Sequence, residues 1–174
     1  SHFQQIRLCG GEPVFWPMDE SAGWRLDIDD LPHLVTEHTK AIVLVTPSNP
    51  TGTIFTEEAL RRIGMIAKQH GLLIILDDPY RHFTYENRER FFNLASAPEF
   101  ADQLAYLFTF SKSYAMSGWR IGYMIVPEYL KRQIVKLHDL TMICTPRISQ
   151  VAALTALNGE RSHLVEFEAV LEQR

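Results

Sequence analysis

The chain has 174 residues, 46% hydrophobic and 22% charged, the balance of a soluble globular α/β domain with a sizeable core. A net charge of −4 and a pI of about 6.0 argue against a nucleic-acid-binding protein. No apolar stretch is long enough to form a membrane-spanning helix.

The first residues are polar and lack a basic flank ahead of an apolar run, so no signal peptide is expected. Ile6-Arg7-Leu8-Cys9 and Val14-Phe15-Trp16 flank Gly10-Gly11-Glu12-Pro13, which reads as two short strands around a turn. Residues 29–38 are a short helix candidate, with Leu31, Leu34 and Val35 on one side. Ala41-Ile42-Val43-Leu44-Val45 is an unbroken apolar run, as in a strand buried on both faces. It stops at Thr46-Pro47-Ser48-Asn49-Pro50-Thr51-Gly52, a dense turn signal.

A helix is predicted over residues 56–69, with Thr56 as its cap and Glu57 and Glu58 at its positive end. Lys68 and His70 suit the other end, and Gly71 can close it. Residues 72–76 form the next buried strand and lead into Asp77-Asp78-Pro79-Tyr80. Residues 81–92 are polar and aromatic and read as an irregular loop. Buried strands follow over 104–108 and 121–126. Pro127 fits the first turn of the next helix, along which Leu130, Ile134, Leu137 and Thr141 recur. Thr145-Pro146 breaks the pattern. Residues 147–157 form another helix that Asn158-Gly159 ends, and 160–174 open a longer amphipathic one.

The first residue is not methionine, and no Gly or Pro closes the final helical pattern at Leu171-Glu172-Gln173-Arg174. The chain is therefore expected to be a fragment. Cys9 and Cys144 are far apart and outside any metal-ligand spacing. They read as two reduced thiols of a cytoplasmic protein.

Strands alternate with helices through the middle of the chain, which predicts an α/β fold with a mainly parallel sheet covered on both faces. Three buried strands end in polar clusters: Asn49, then Asp77 with Tyr80, then Thr109, Ser111 and Lys112. In a parallel sheet those ends share one edge, so the clusters converge on one crevice. Lys112 offers an amine that can form a Schiff base with an aldehyde. Thr109, Ser111 and Arg120 are groups that hold a phosphate. Together they are the handles for pyridoxal 5'-phosphate (PLP). Asp77 is the carboxylate for the pyridine nitrogen, and Asn49 and Tyr80 can donate to the phenolic oxygen. Taken singly, each residue has a plainer reading: a solvated lysine, a turn aspartate, a packed tyrosine, a surface ion pair. Their joint order favours the site. Phe83, Tyr85 and the Thr145-Pro146-Arg147 break are read as packing or surface.

That order resembles the fold-type I PLP-dependent enzymes, specifically the class I/II aminotransferases of the aspartate aminotransferase superfamily. Pro47-Ser48-Asn49-Pro50-Thr51-Gly52 is similar to the family's P-x-N-P-T-G. Asp77-Asp78-Pro79-Tyr80 is similar to its D-E-P-Y, with Asp78 where glutamate is usual. The run from Ser111 to Gly122 is similar to S-K-x-[FY]-x-M-x-G-x-R-x-G.

The resemblance implies a three-layer α/β/α fold, the large PLP domain of a homodimeric enzyme of amino-acid metabolism. Residues 1–159 would be the core of that domain, and 160–174 the start of the helix to a small domain. It implies catalytic roles for Lys112, Asp77 and Tyr80, and cofactor binding by Asn49, Asp77, Tyr80, Thr109, Ser111, Lys112 and Arg120. The reaction implied moves an amino group from an amino acid to a 2-oxo acid through a Lys112 internal aldimine. It further implies a cis Asn49-Pro50 bond and a mild, indirect effect of Asp78. The family's glycine-containing phosphate loop, its ring-stacking aromatic and its partner-donated tyrosine would precede residue 1. Its carboxylate-gripping arginine would follow residue 174, so the fragment alone is expected to be inactive. Two alternatives share the motifs: a carbon–sulfur β-lyase, and the aminotransferase-like effector domain of a MocR-type transcription regulator.

Overall fold

The computed structural model describes residues 2–85 and 91–173. Its centre is a four-stranded sheet in the order β3-β4-β5-β6, built from β3 (Ala41–Val45), β4 (Leu73–Asp77), β5 (Leu104–Thr109) and β6 (Gly122–Ile125). β3, β4 and β5 are parallel, with Val45 beside Asp77 and Asp77 beside Leu107. β6 returns antiparallel to β5, with Gly122 beside Thr109. The ends of three strands and the start of the fourth therefore share one edge.

Alternation along the strands decides the faces. Ile42, Leu44, Ile74, Leu76, Tyr106 and Phe108 are buried on one face. On that side lies the core, with Leu60, Ile63 and Ala67 of α3 (Glu57–His70). Val43, Val45, Ile75, Asp77 and Leu107, on the other face, are only half-buried. The α/β expectation is met, but burial on the two faces is unequal among the described residues.

α3 forms as its sequence predicts. Thr56 Oγ1 accepts from the Ala59 N–H at 3.1 Å. Gly71 adopts φ 64° and donates to the Ala67 and Lys68 carbonyls. Replacing Thr56 by alanine should cost about 1 kcal/mol, read as a lower urea midpoint with an unchanged slope.

Three expectations are corrected. The strand expected to be buried over 121–126 is β6, and all four of its residues are exposed. The strand pair expected at residues 6–9 and 14–16 is instead α1 (His2–Leu8) followed by irregular chain. Gly10-Gly11 is a helix stop, not a hairpin turn. Gly10, at φ 78°, donates to Arg7 O at 2.9 Å, and Gly11 donates to Ile6 O at 2.9 Å, a paired C-terminal cap. The small antiparallel pair lies later, between β1 (Met18–Asp19) and β2 (Arg25–Leu26). The helix expected over 29–38 is only α2 (Leu31–Leu34), after a 3-10 turn at Ile28–Asp30. Hydroxyls compete with the helix beyond it: Thr36 N–H donates to Thr39 Oγ1, and His38 N–H donates to Thr36 Oγ1.

α4 (Glu128–Thr141), α5 (Arg147–Asn158) and α6 (Ser162–Glu172) complete the chain. Pro127 sits at the cap of α4, one position before the expected one. Of the expected loop over 81–92, residues 86–90 lie outside the described residues. No helix among the described residues is long and apolar enough to cross a membrane. Cys9 and Cys144 are free and exposed.

Candidate active site

Three connections bring the polar clusters to the shared edge. The first leaves β3 through cis bonds at Thr46-Pro47 and Asn49-Pro50. Ser48 N–H donates to Thr53 O at 2.9 Å and Gly52 N–H to Ser48 O at 2.8 Å. This tight turn leaves Asn49 exposed at its tip. The second leaves β4 at Asp77 and carries Tyr80 back over the edge, where Tyr80 O accepts from the Phe83 N–H at 2.8 Å. The third leaves β5 at Thr109 and holds Lys112 in a turn closed by Ala115 N–H to Lys112 O at 2.9 Å.

The side chains meet around Tyr80. Asn49 Nδ2 donates to Tyr80 Oη at 3.5 Å, a long contact. Lys112 Nζ lies 5.6 Å from the centre of the Tyr80 ring. Thr109 Oγ1 donates to Ser111 Oγ at 2.9 Å and accepts from the Ser111 N–H at 3.2 Å. The two hydroxyls thus form one small polar cup beside Lys112. Arg120 follows a 3-10 turn at Ser117–Trp119, takes φ 51°, and donates to Ser117 O at 2.7 Å. It lies two residues before Gly122, the register partner of Thr109, and so reaches the same edge. It bonds to the turn, not to the hydroxyl pair. Ser149 on α5 fixes that turn by donating to Trp119 O at 2.9 Å.

Asp77 points to the half-buried face. His2 Nε2 of α1 is 2.8 Å from its Oδ2. The sequence reading missed this partner. A histidine 75 positions away carries no periodic signal, and residues 6–9, where α1 ends, read as a strand. Asp78 points the other way and is fully buried. Burial raises it to about 7, against the lowering influence of the Tyr106 hydroxyl and the Arg81 guanidinium. Close by, burial lowers His82 to about 4, and Arg81, Arg161 and His163 add to that.

A depression of about 660 Å³ opens beside the cluster, lined in part by Asn49, Tyr80, Phe83, Tyr85 and Leu171. Phe83 also packs edge-on against Phe167 of α6, with ring centres 5.6 Å apart. The packing role expected of it is present, together with a place on the cavity wall.

The model of the aminotransferase class I and II family matches residues 1–173. A probable aspartate/prephenate aminotransferase of Aquifex aeolicus is 38% identical over 163 residues, 91% of this chain and 40% of that protein. An aspartate aminotransferase of Pyrococcus abyssi is 35% identical over 174 residues, 100% of this chain and 43% of its own length. The crystal structure of an aromatic aminotransferase from Pyrococcus horikoshii superposes with a TM-score of 0.89 at 34% identity, covering 94% of this chain and 44% of that one. The chain thus spans about two fifths of the length of the curated relatives it matches.

Proposed function

The chain belongs to the class I and II aminotransferase family, and from that premise we propose that it is the PLP-binding core of an aminotransferase. The reaction proposed is transfer of an amino group from an amino acid to a 2-oxo acid. The family is PLP-dependent, and the donors present fit that cofactor. A primary amine, a carboxylate, an amide–phenol pair, two hydroxyls and a guanidinium all reach one sheet edge. The observation that carries the reading is the meeting of Asn49, Tyr80 and Lys112, from three separate connections, around one phenol.

Bound there, PLP supplies an electron sink for the substrate α-carbon. Lys112 Nζ would hold the aldehyde end of the cofactor, and the same amine would be the group that moves a proton at the substrate α-carbon. The Tyr80 ring beneath the amine limits where that amine can swing. Asn49 and Tyr80 donate to the phenolic oxygen. Asp77 would keep a proton on the ring nitrogen, and His2 Nε2, donating to Asp77 Oδ2, would fix the carboxylate plane. Thr109, Ser111 and Arg120 would hold the phosphate, with Arg120 exchanging its bond to Ser117 O for one to the phosphate.

The domain boundary at residues 159–160, a homodimeric assembly and a cytoplasmic location are parts of the same proposal. So is the need for a polypeptide of the relatives' length to complete turnover. Borohydride trapping tests the reading. With PLP, the chain should yield a single reduced adduct on Lys112 by peptide mapping. Adducts scattered over Lys40, Lys68, Lys131 and Lys136 would overturn it.

A further inference from the structure

β4 ends on two carboxylates that face opposite sides of the sheet. Asp77 shares its side with Leu107 and Thr109 by register. Asp78 extends the ladder, its N–H donating to Leu107 O at 3.0 Å, and its side chain turns to the side of Leu76 and Tyr106. There it is 0% exposed. Its Oδ2 accepts from Tyr106 Oη at 2.9 Å and from Asn93 Nδ2 at 2.6 Å. Its Oδ1 is buried and has no hydrogen-bond partner.

Among the described residues, the titratable and charged groups facing it come from three elements. Arg81, in the loop after β4, donates to Tyr106 Oη at 3.1 Å. Tyr106 comes from β5 and Tyr123 from β6. The Arg81 guanidinium therefore bonds the phenol and not the carboxyl, while its charge and the Arg81 backbone N–H favour the ionised carboxylate less than burial opposes it. A buried carboxylate with one bare oxygen is costly, and a neutral carboxyl there is much less so. Burial also raises both phenols, so neither offers a counter-charge or a proton sink.

We propose that Asp78 is a positioning residue: in its neutral form the carboxyl, buried with one oxygen unpartnered, pins the end of β4 through Tyr106 and Asn93, which sets the aim of Asp77 and Tyr80. Neutral, it ties β4 to β5 through Tyr106 and to the turn at Leu94–Ser96 through Asn93. Ionised, its bare oxygen draws in water or Arg81, and the backbone that carries Asp77 moves with it. The held proton is independent of the cofactor; only the effect on Asp77 and Tyr80 rests on the reading above.

Asp78→Asn is the test, because the amide is neutral and its oxygen still accepts from Tyr106 and Asn93. The sign follows from a folded value raised from 3.8 to about 7. The stabilising effect of the retained proton is complete below the unfolded value and is lost as pH rises through about 7. The thermal unfolding midpoint of the 174-residue chain should fall over that window and then level, whereas Asp78→Asn should lack the fall. Wild type should also show the infrared carbonyl band of a neutral carboxylic acid at pH 6, missing from Asp78→Asn. Identical pH profiles, or no such band, overturn the held proton. PLP affinity, followed by its absorbance, should weaken several-fold above about pH 7 in wild type and stay level in Asp78→Asn. Parallel affinity profiles overturn the positioning role. Failure of both proteins to bind PLP at any pH overturns the cofactor reading and the positioning built on it, while unfolding and infrared data still decide the proton; binding by wild type with none by Asp78→Asn overturns the positioning role.

Discussion

Replacing Lys112 by alanine should abolish borohydride-trapped cofactor and, in a polypeptide of the relatives' length, cut transamination by at least about a thousandfold. Two separate roles end in the same nitrogen. The amine anchors the aldehyde, and among the described residues it is the only lysine nitrogen set against the Tyr80 ring, so no neighbour there stands ready to replace it. Its structural cost is small by contrast. The side chain is exposed, and its contact with the Tyr80 ring is worth about 0.5–1 kcal/mol. The variant should therefore unfold near the wild-type temperature while losing its chemistry. Single-turnover kinetics beside a melting curve separates the two effects. Rates near wild type in a folded variant would refute the assignment.

The largest loss of stability should follow Phe100→Ala. Phe100 is 2% exposed and fills a notch on α3 left by Gly64. A methyl at Gly64 would lie 2.7 Å from the Phe100 ring, so the two positions match in shape. Truncation of such a ring costs about 3–5 kcal/mol, against a total of about 5–15 kcal/mol for an ordinary domain. The notch cannot collapse, because α3 is fixed at both ends by Thr56 and Gly71. Urea unfolding should show a markedly lower midpoint; a loss under about 1 kcal/mol would show that the ring is not the support claimed. Since α3 lies on the face opposite Asp77, residual folded protein should still trap PLP on Lys112.

The parts legible in the sequence were those with local causes. Apolar runs gave β3, β4 and β5, and cap residues gave α3. The motif order placed Asn49, Tyr80, Thr109, Ser111 and Lys112 on one edge, because parallel strands put like ends together. What escaped depends on choices that sequence spacing does not rank. Gly10-Gly11 serves a hairpin or a helix stop equally well, and here the helix stop won. The threonines at 36 and 39 can sit in a helix or bond to the backbone, and they chose the backbone. β6 runs antiparallel to β5 after the return through residues 110–121, a connection whose length alone does not separate a return from a crossover. His2 reaches Asp77 across 75 positions, a long-range contact that no window of sequence contains.

The two aspartates at the end of β4 have a consequence for how this segment can change over generations. A point substitution at one of them touches one face of the sheet. Loss of a single codon within β4 would instead rotate both: Asp78 would be carried to the open edge and Asp77 into the core beside Tyr106. The replacement would even look harmless on paper, since the same two letters remain. Length, more than composition, is therefore what natural variation must hold constant between Leu73 and Asp78.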